Sequence, residues 1–225
     1  MLRDHHVPFR REDYIAEVAL LTRKLGGSEN YAYFNIVDFV ERILMAQDWK
    51  DKGRLGIKFF DDRDEADDPA YVTFDPPTLH VDRETWELAR AGEPDARFVI
   101  AHEVGHIVLH RHDAQHFSKN TSVQIKFANQ EYSAEWQANT FASYFLVPTR
   151  IMSAFDTVQD MTKACLVNEP AVLARYCSSS SAKRHRVIQD ATVCLTCGNI
   201  SRTSDGVCQS ADCPDGLPVH VSVSL

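Results

Sequence analysis

The five residues His102-Glu103-Val104-Gly105-His106, lodged in the apolar run Phe98–Leu109, restrict the fold of this chain more than any other stretch. Apolar residues on both flanks, Phe98, Val99, Ile100 and Ala101 before and Ile107, Val108 and Leu109 after, predict an amphipathic helix with one buried stripe. On such a helix His102 and His106 project from one face, roughly 6 Å apart along the axis. Two imidazoles placed that way can reach one zinc ion at about 2.0–2.1 Å. Glu103 lies about 100° round the helix, where it can serve a water molecule rather than bind the metal. Metal, water and carboxylate together make a hydrolytic centre. With ten histidines in 225 residues, the pentapeptide does not carry this reading unaided, so its surroundings matter. Gly105 is one such detail: glycine costs a helix about 1 kcal/mol relative to alanine, and its gain is close approach by another backbone or a substrate.

Catalytic zinc usually takes three protein ligands. His112 stands ten residues after His102, the offset of the longer HExxHxxGxxH pattern, but Leu109 occupies the turn position that this pattern fills with glycine. His110 follows His106 by one turn and reads as lining the helix end, where a cation is also favourable. The stronger third ligand is Glu135, in a second helix expected over Glu131–Pro148, where Phe141, Tyr144 and Phe145 recur at helical spacing and Pro148 stops it. Asn139 lies one turn beyond Glu135 on the same face and can orient a ligand histidine through its free ring nitrogen. Glu131 shares that face and is the second choice as ligand. For an oxyanion partner, Tyr132, His112 and His116 are the candidates.

The run His102–His110, followed by Glu135-x-x-Ala138-Asn139-x-Phe141-Ala142-x-x-Phe145-Leu146-Val147-Pro148, resembles the ImmA/IrrE family of zinc metallopeptidases. Thr78–Asp82 and the approach Arg97–Ala101 fit the same pattern, and the resemblance covers roughly residues 30–190. It implies a zincin-like core with His102, His106 and Glu135 as zinc ligands and Glu103 as general base. It also implies a protein substrate, a helix-turn-helix repressor encoded nearby, whose cleavage switches mobile-element or stress genes. Other readings of the same fold remain: a metal-dependent gene regulator that does not cleave, or a toxin-like peptidase held by an antitoxin. A binding module built around the cysteine cluster described below is a further possibility.

The rest of the chain sets the architecture. Arg11–Leu25 predicts a helix ended by Gly26-Gly27, and Ile36–Trp49 a second amphipathic helix. Gly56–Phe60, Tyr71–Phe74 and Thr78–Asp82 read as three short strands, with Asp75-Pro76-Pro77 turning the chain between the last two. The acidic stretch Asp61–Asp68 reads as a solvated linker. Strands beside helices predict an α+β domain with a small, mainly antiparallel sheet. We assign residues 1–150 to this metallopeptidase domain, 151–192 to a helical segment and 193–225 to a cysteine-bearing tail. In the middle segment, a basic stretch with Lys183, Arg184 and Arg186 after Ser179–Ser181 resembles a helix-turn-helix. Packing on the peptidase explains it better than contact with DNA, because a net charge of −8 gives the chain no nucleic-acid footprint.

The tail carries Cys194-Leu195-Thr196-Cys197-Gly198 and, after ten intervening residues, Cys208-Gln209-Ser210-Ala211-Asp212-Cys213. Four thiolates close a tetrahedral zinc site with no open position, the stamp of a structural metal. Such a staple suits a segment too poor in apolar residues to fold alone. Cys165 and Cys177 read as core thiols. No apolar leader opens the chain and no run approaches the 18 residues of a membrane helix, so we expect a cytoplasmic protein with reduced thiols and no membrane contact. The expectation is therefore two zinc ions, one catalytic and one structural.

Overall fold

The computed structural model describes residues 5–27, 31–49, 53–61, 68–111, 130–178, 192–193 and 200–201. The chain divides into two compact units, one of Met1–Ala19 with Ile36–Ala142 and the other of Leu20–Asn35 with Ser143–Leu225.

The first unit holds the predicted α+β core. Helix α1 (Glu12–Leu25) contributes its first half, with acidic Glu12 and Asp13 in the opening turn, where the helix dipole favours them. Helix α2 (Ile36–Phe39) runs on as one π turn over Val40–Leu44 and ends there, short of the predicted Trp49. Instead of extending the helix, Asp48–Trp49 (β1) pairs antiparallel with Gly53–Arg54 (β2), and Gly53 takes the positive φ of 79° that the return requires.

Three further strands, β3 (Gly56–Phe60), β4 (Ala70–Phe74) and β5 (Pro77–Asp82), form a sheet in the order β3-β5-β4. β4 and β5 are an antiparallel hairpin, whereas β3 lies parallel to β5, so the small sheet is mixed. Leu79 and Val81 of β5 are fully buried. On the alternate positions His80 stacks on Tyr71, ring centroids 4.4 Å apart.

Helix α3 (Arg83–Ala91) starts at Asp82, whose carboxylate accepts from the Thr85 amide at 3.0 Å, and stops at Gly92 with φ 94°. A cap of this kind stabilises a helix by about 1 kcal/mol. Helix α4 (Pro94–His110) carries the HExxH residues; Glu93 caps it through the Ala96 amide, and proline occupies its first position. Ile100, Ala101, Val104 and Ile107 are completely buried along one stripe. Burial of each larger side chain stabilises by about 1.5–3 kcal/mol, which anchors the helix that presents the histidines. α4 packs against α3 and β4.

After a 3₁₀ turn at Gln130–Tyr132, helix α5 (Ala134–Leu146) begins, its first turn capped by Ser133 Oγ accepting from the Trp136 amide at 2.9 Å. The N-terminal arm pairs with this entry. Val7 N–H donates to the Tyr132 carbonyl (2.9 Å), Ala134 N–H to His5 (3.0 Å) and Arg10 N–H to Glu131 (3.2 Å).

In the second unit, the buried Arg23 guanidinium donates to the carbonyls of Tyr31, Ala32 and Phe145. Phe34 meets Phe145 edge-on at 4.7 Å. Three helices follow: α6 (Thr149–Met152), α7 (Val158–Cys165) and α8 (Glu169–Ser178). Arg175 of α8, also buried, donates to the Val147 carbonyl and to Thr149, and lies 3.3 Å from the Tyr144 ring centroid. Cys165 is buried with no exposure, as a core thiol should be. Thr192–Val193 (β6) pairs antiparallel with Ile200–Ser201 (β7). No helix among the described residues is long and apolar enough to cross a membrane.

Candidate metal centre

Gly105 sets the distance between the two helices that carry the site. A Cβ placed there would stand 3.1 Å from both Cα and the carbonyl oxygen of Ala138, closer than side chains normally approach backbone. The missing side chain lets α5 lie against α4. Glu135 and Asn139, one turn apart on α5, thereby face His102 and His106.

His102 Nε2 and His106 Nε2 are 2.9 Å apart. The Glu135 carboxylate reaches both, Oε2 at 3.3 Å from His102 and Oε1 at 3.4 Å from His106. Among the described residues, these three are the group able to hold a metal ion. Ligands bound at about 2.0–2.1 Å in tetrahedral array stand roughly 3.3–3.4 Å from one another, so the observed spacing suits zinc.

Hydrogen bonding fixes which ring nitrogens face inward. Asn139 Oδ1 lies 2.9 Å from His102 Nδ1 and accepts its proton, leaving the Nε2 lone pair for the centre. His106 Nδ1 is 3.0 Å from His110 Nδ1. His110 Nε2 is 3.0 Å from Gln137 Oε1, which also accepts from Arg10. Two lone-pair nitrogens and a carboxylate meeting at one point repel one another unless a cation joins them. The donor set therefore fits a zinc ion by its chemistry as well as its spacing.

The charges follow from burial and neighbours. Glu103 is 6 % exposed, and burial pushes its carboxyl pKa up despite the two nearby histidines. Glu135 behaves oppositely: its own burial is outweighed by the neighbouring His102 and His106 imidazoles, which hold it well below the usual carboxylate range. Burial disfavours a charged His102, but Glu135, Glu103 and Asn139 together outweigh it and keep its pKa above the ordinary value. For His110, burial and then the charges of His106 and Arg10 push the pKa down to about 3, against the bond to Gln137.

The other predicted positions divide clearly. Glu131 stays outside the cluster; its backbone carbonyl accepts from Gln137 Nε2 at 2.7 Å. Tyr132 stacks on His6 with centroids 5.0 Å apart and tilts against Phe9 at 5.3 Å, contacts that tie it to the N-terminal arm. His110, in the last turn of α4, is fully buried, and that burial favours its neutral form. Sequence reasoning missed the Gln137 and Arg10 partners altogether. His112, His116, Lys183, Arg184, Arg186 and the four cysteines Cys194, Cys197, Cys208 and Cys213 lie outside the described residues. Cys177 falls in α8, but its side chain lies outside the description too.

A search of curated proteins gives no match. Among solved structures, a Mycobacterium tuberculosis transcriptional regulator is similar at 19 % identity with a TM-score of 0.47. That likeness covers 85 % of this chain, which spans 55 % of the regulator's length. Residues 53–187, more than half of the chain and including both site helices, match the model of Peptidase_M78, the IrrE N-terminal-like domain, and the chain belongs to that family.

Proposed function

We propose that the protein is a zinc-dependent metallopeptidase whose metal is held by His102, His106 and Glu135. The observation that carries this reading is the convergence of two imidazole Nε2 atoms and one carboxylate, 2.9–3.4 Å apart, beside a buried carboxyl, Glu103. Zinc bound there supplies Lewis acidity to a carbonyl oxygen and lowers the pKa of water. Glu103, made more basic by burial, takes the proton from the attacking water and returns it to the leaving amine. Asn139 holds the His102 ring in the ligating tautomer. Among the described residues, strand β4 is an edge of the sheet and packs beside α4, a place where an extended peptide can be laid.

The substrate follows from family resemblance: a helix-turn-helix repressor, cleaved to release the genes it silences. The spacing of Cys194, Cys197, Cys208 and Cys213 supports a second, structural zinc in the tail. The test is incubation of the purified chain with the helix-turn-helix protein encoded beside it, with and without chelator and with Glu103→Gln as control. Cleavage that needs both metal and Glu103 supports the proposal. A chain that binds metal and partner yet leaves the partner whole acts as a regulator, and the peptidase reading is then wrong.

A further inference from the structure

The N-terminal arm lies outside the residues matched by the family model, yet its hydrogen bonds lead through Gln137 and His110 to a predicted metal ligand, His106. Gln137, a fully buried residue of α5, is where they meet. Its Nε2 donates to two carbonyls, Pro8 at 2.9 Å and Glu131 at 2.7 Å. Carbonyls only accept, so this end of the amide is fixed as the NH₂ group. Its Oε1 is then turned toward Arg10 NH1, a pure donor at 3.0 Å, and toward His110 Nε2 at 3.0 Å. His110 must carry its single ring proton on Nε2 to satisfy that oxygen. Its Nδ1 is left as a lone pair, 3.0 Å from His106 Nδ1, and accepts the proton there. His106 in turn has only its Nε2 lone pair to offer, and that atom faces His102 and Glu135. Arg10 adds a second tie, NH2 to the Leu109 carbonyl at 2.8 Å, in the last turn of α4.

Every link in this chain has one allowed direction. Were the Gln137 amide reversed, its NH₂ would face Arg10, two donors in opposition. Were His110 to present N–H at Nδ1, His106 would have to place its proton on Nε2, where a metal must bind.

We propose that the arm His5–Arg10 is a working part of the metal centre: Arg10 and the Pro8 carbonyl fix Gln137, Gln137 fixes the tautomer of His110, and His110 holds His106 in its ligating form. Arg10, Gln137 and His110 are positioning residues that touch neither metal nor substrate. The proposal rests on the reading of His102, His106 and Glu135 as ligands, and it makes removal or displacement of the N-terminal arm a means of weakening the centre without altering a ligand.

The experiment measures zinc retention by the full-length protein against chelators of graded strength. The step belonging to this centre is the one absent from Glu135→Ala. His110→Leu removes the acceptor for His106; His110→Asn keeps an acceptor close to the place of Nδ1; Arg10→Met removes the outer donor far from the metal. We expect His110→Leu and Arg10→Met to weaken zinc at this step by about 10–100-fold, the usual loss when a ligand's hydrogen-bond partner is removed. His110→Asn should retain most of the wild-type affinity, a rescue that a packing role would not produce. Far-UV circular dichroism and thermal melting of each metal-free variant show whether it folds, and if His110→Leu does not, Arg10→Met decides. Wild-type affinity in Arg10→Met, or in a folded His110→Leu, overturns the proposal while leaving the ligand set standing. Absence of any zinc step that separates the wild type from Glu135→Ala overturns the ligand set and the proposal together.

Discussion

Gly105 on α4 and Ala138 on α5 meet so closely that a methyl group on the glycine would lie 3.1 Å from the alanine's Cα and its carbonyl oxygen. Phe141 Cδ1 would stand at 3.1 Å as well, but the two Ala138 atoms are backbone and give way only if the helices part. Gly105→Ala gains about 1 kcal/mol of helix propensity but incurs an overpacking cost of about 1–3 kcal/mol. It should therefore leave the chain folded at a slightly lower melting temperature while weakening zinc, because Glu135 and Asn139 move away with α5. A raised melting temperature with unchanged zinc affinity would show that the close approach does not set the site.

In the proposed mechanism Glu103 contributes basicity, and its place outside the ligand cluster separates it from binding. Glu103→Gln should keep its zinc and lose about 10²–10⁴-fold in peptide hydrolysis. Peptide cleavage continuing at the wild-type rate in this variant would mean that another group takes the proton.

Metal binding should be acid-sensitive through His102. Its pKa lies above the ordinary histidine value of 6.5, so in that range a proton occupies a position that zinc must take. As pH falls through that pKa, apparent zinc affinity should drop, approaching about tenfold per pH unit from this proton alone. Glu135, held well below the usual range, is already ionised, and His110, at about 3, is already neutral, so neither adds a proton to the exchange. Calorimetric titration with zinc between about pH 8 and pH 6, in buffers of different ionisation enthalpy, reads both quantities. Flat affinity with no proton release across that range would contradict the assigned environment of His102.

How far the sequence foretold this site depends on the kind of signal each part carries. The helix of α4 was legible because its apolar flanks, Phe98–Ala101 and Ile107–Leu109, carry the helical pattern locally. Glu135 and Asn139 were legible because four-residue spacing survives in any helix. Gly105 announced a close approach but not which backbone would make it. Strand positions were readable from alternation, yet alternation is silent on direction, so the parallel pairing of β3 with β5 had no sequence sign. The predicted helix to Trp49 gave way to a hairpin whose partner lies beyond it in sequence, an outcome that local apolar spacing cannot register. Least legible was the support of His106. Gln137 belongs to no motif, and its partner Arg10 is 127 residues away in the chain.

The cysteine tail should prove independent of the catalytic metal. With the four thiolates as the proposed closed set, Cys197→Ser should cost the protein one zinc and unfold the tail locally. The zinc assigned to His102, His106 and Glu135 should remain, with the helical circular dichroism of the core unchanged. Loss of both metals in Cys197→Ser would tie the tail to the core and contradict their separation.

The central claim is that His102, His106 and Glu135 are the ligands of one zinc ion. Elemental analysis of freshly purified, reduced protein tests it most directly, with wild type, Glu103→Gln and Glu135→Ala prepared side by side. The account predicts that Glu103→Gln carries the same zinc content as the wild type, and that Glu135→Ala carries one equivalent less while remaining folded. Equal zinc in Glu135→Ala and the wild type would contradict it.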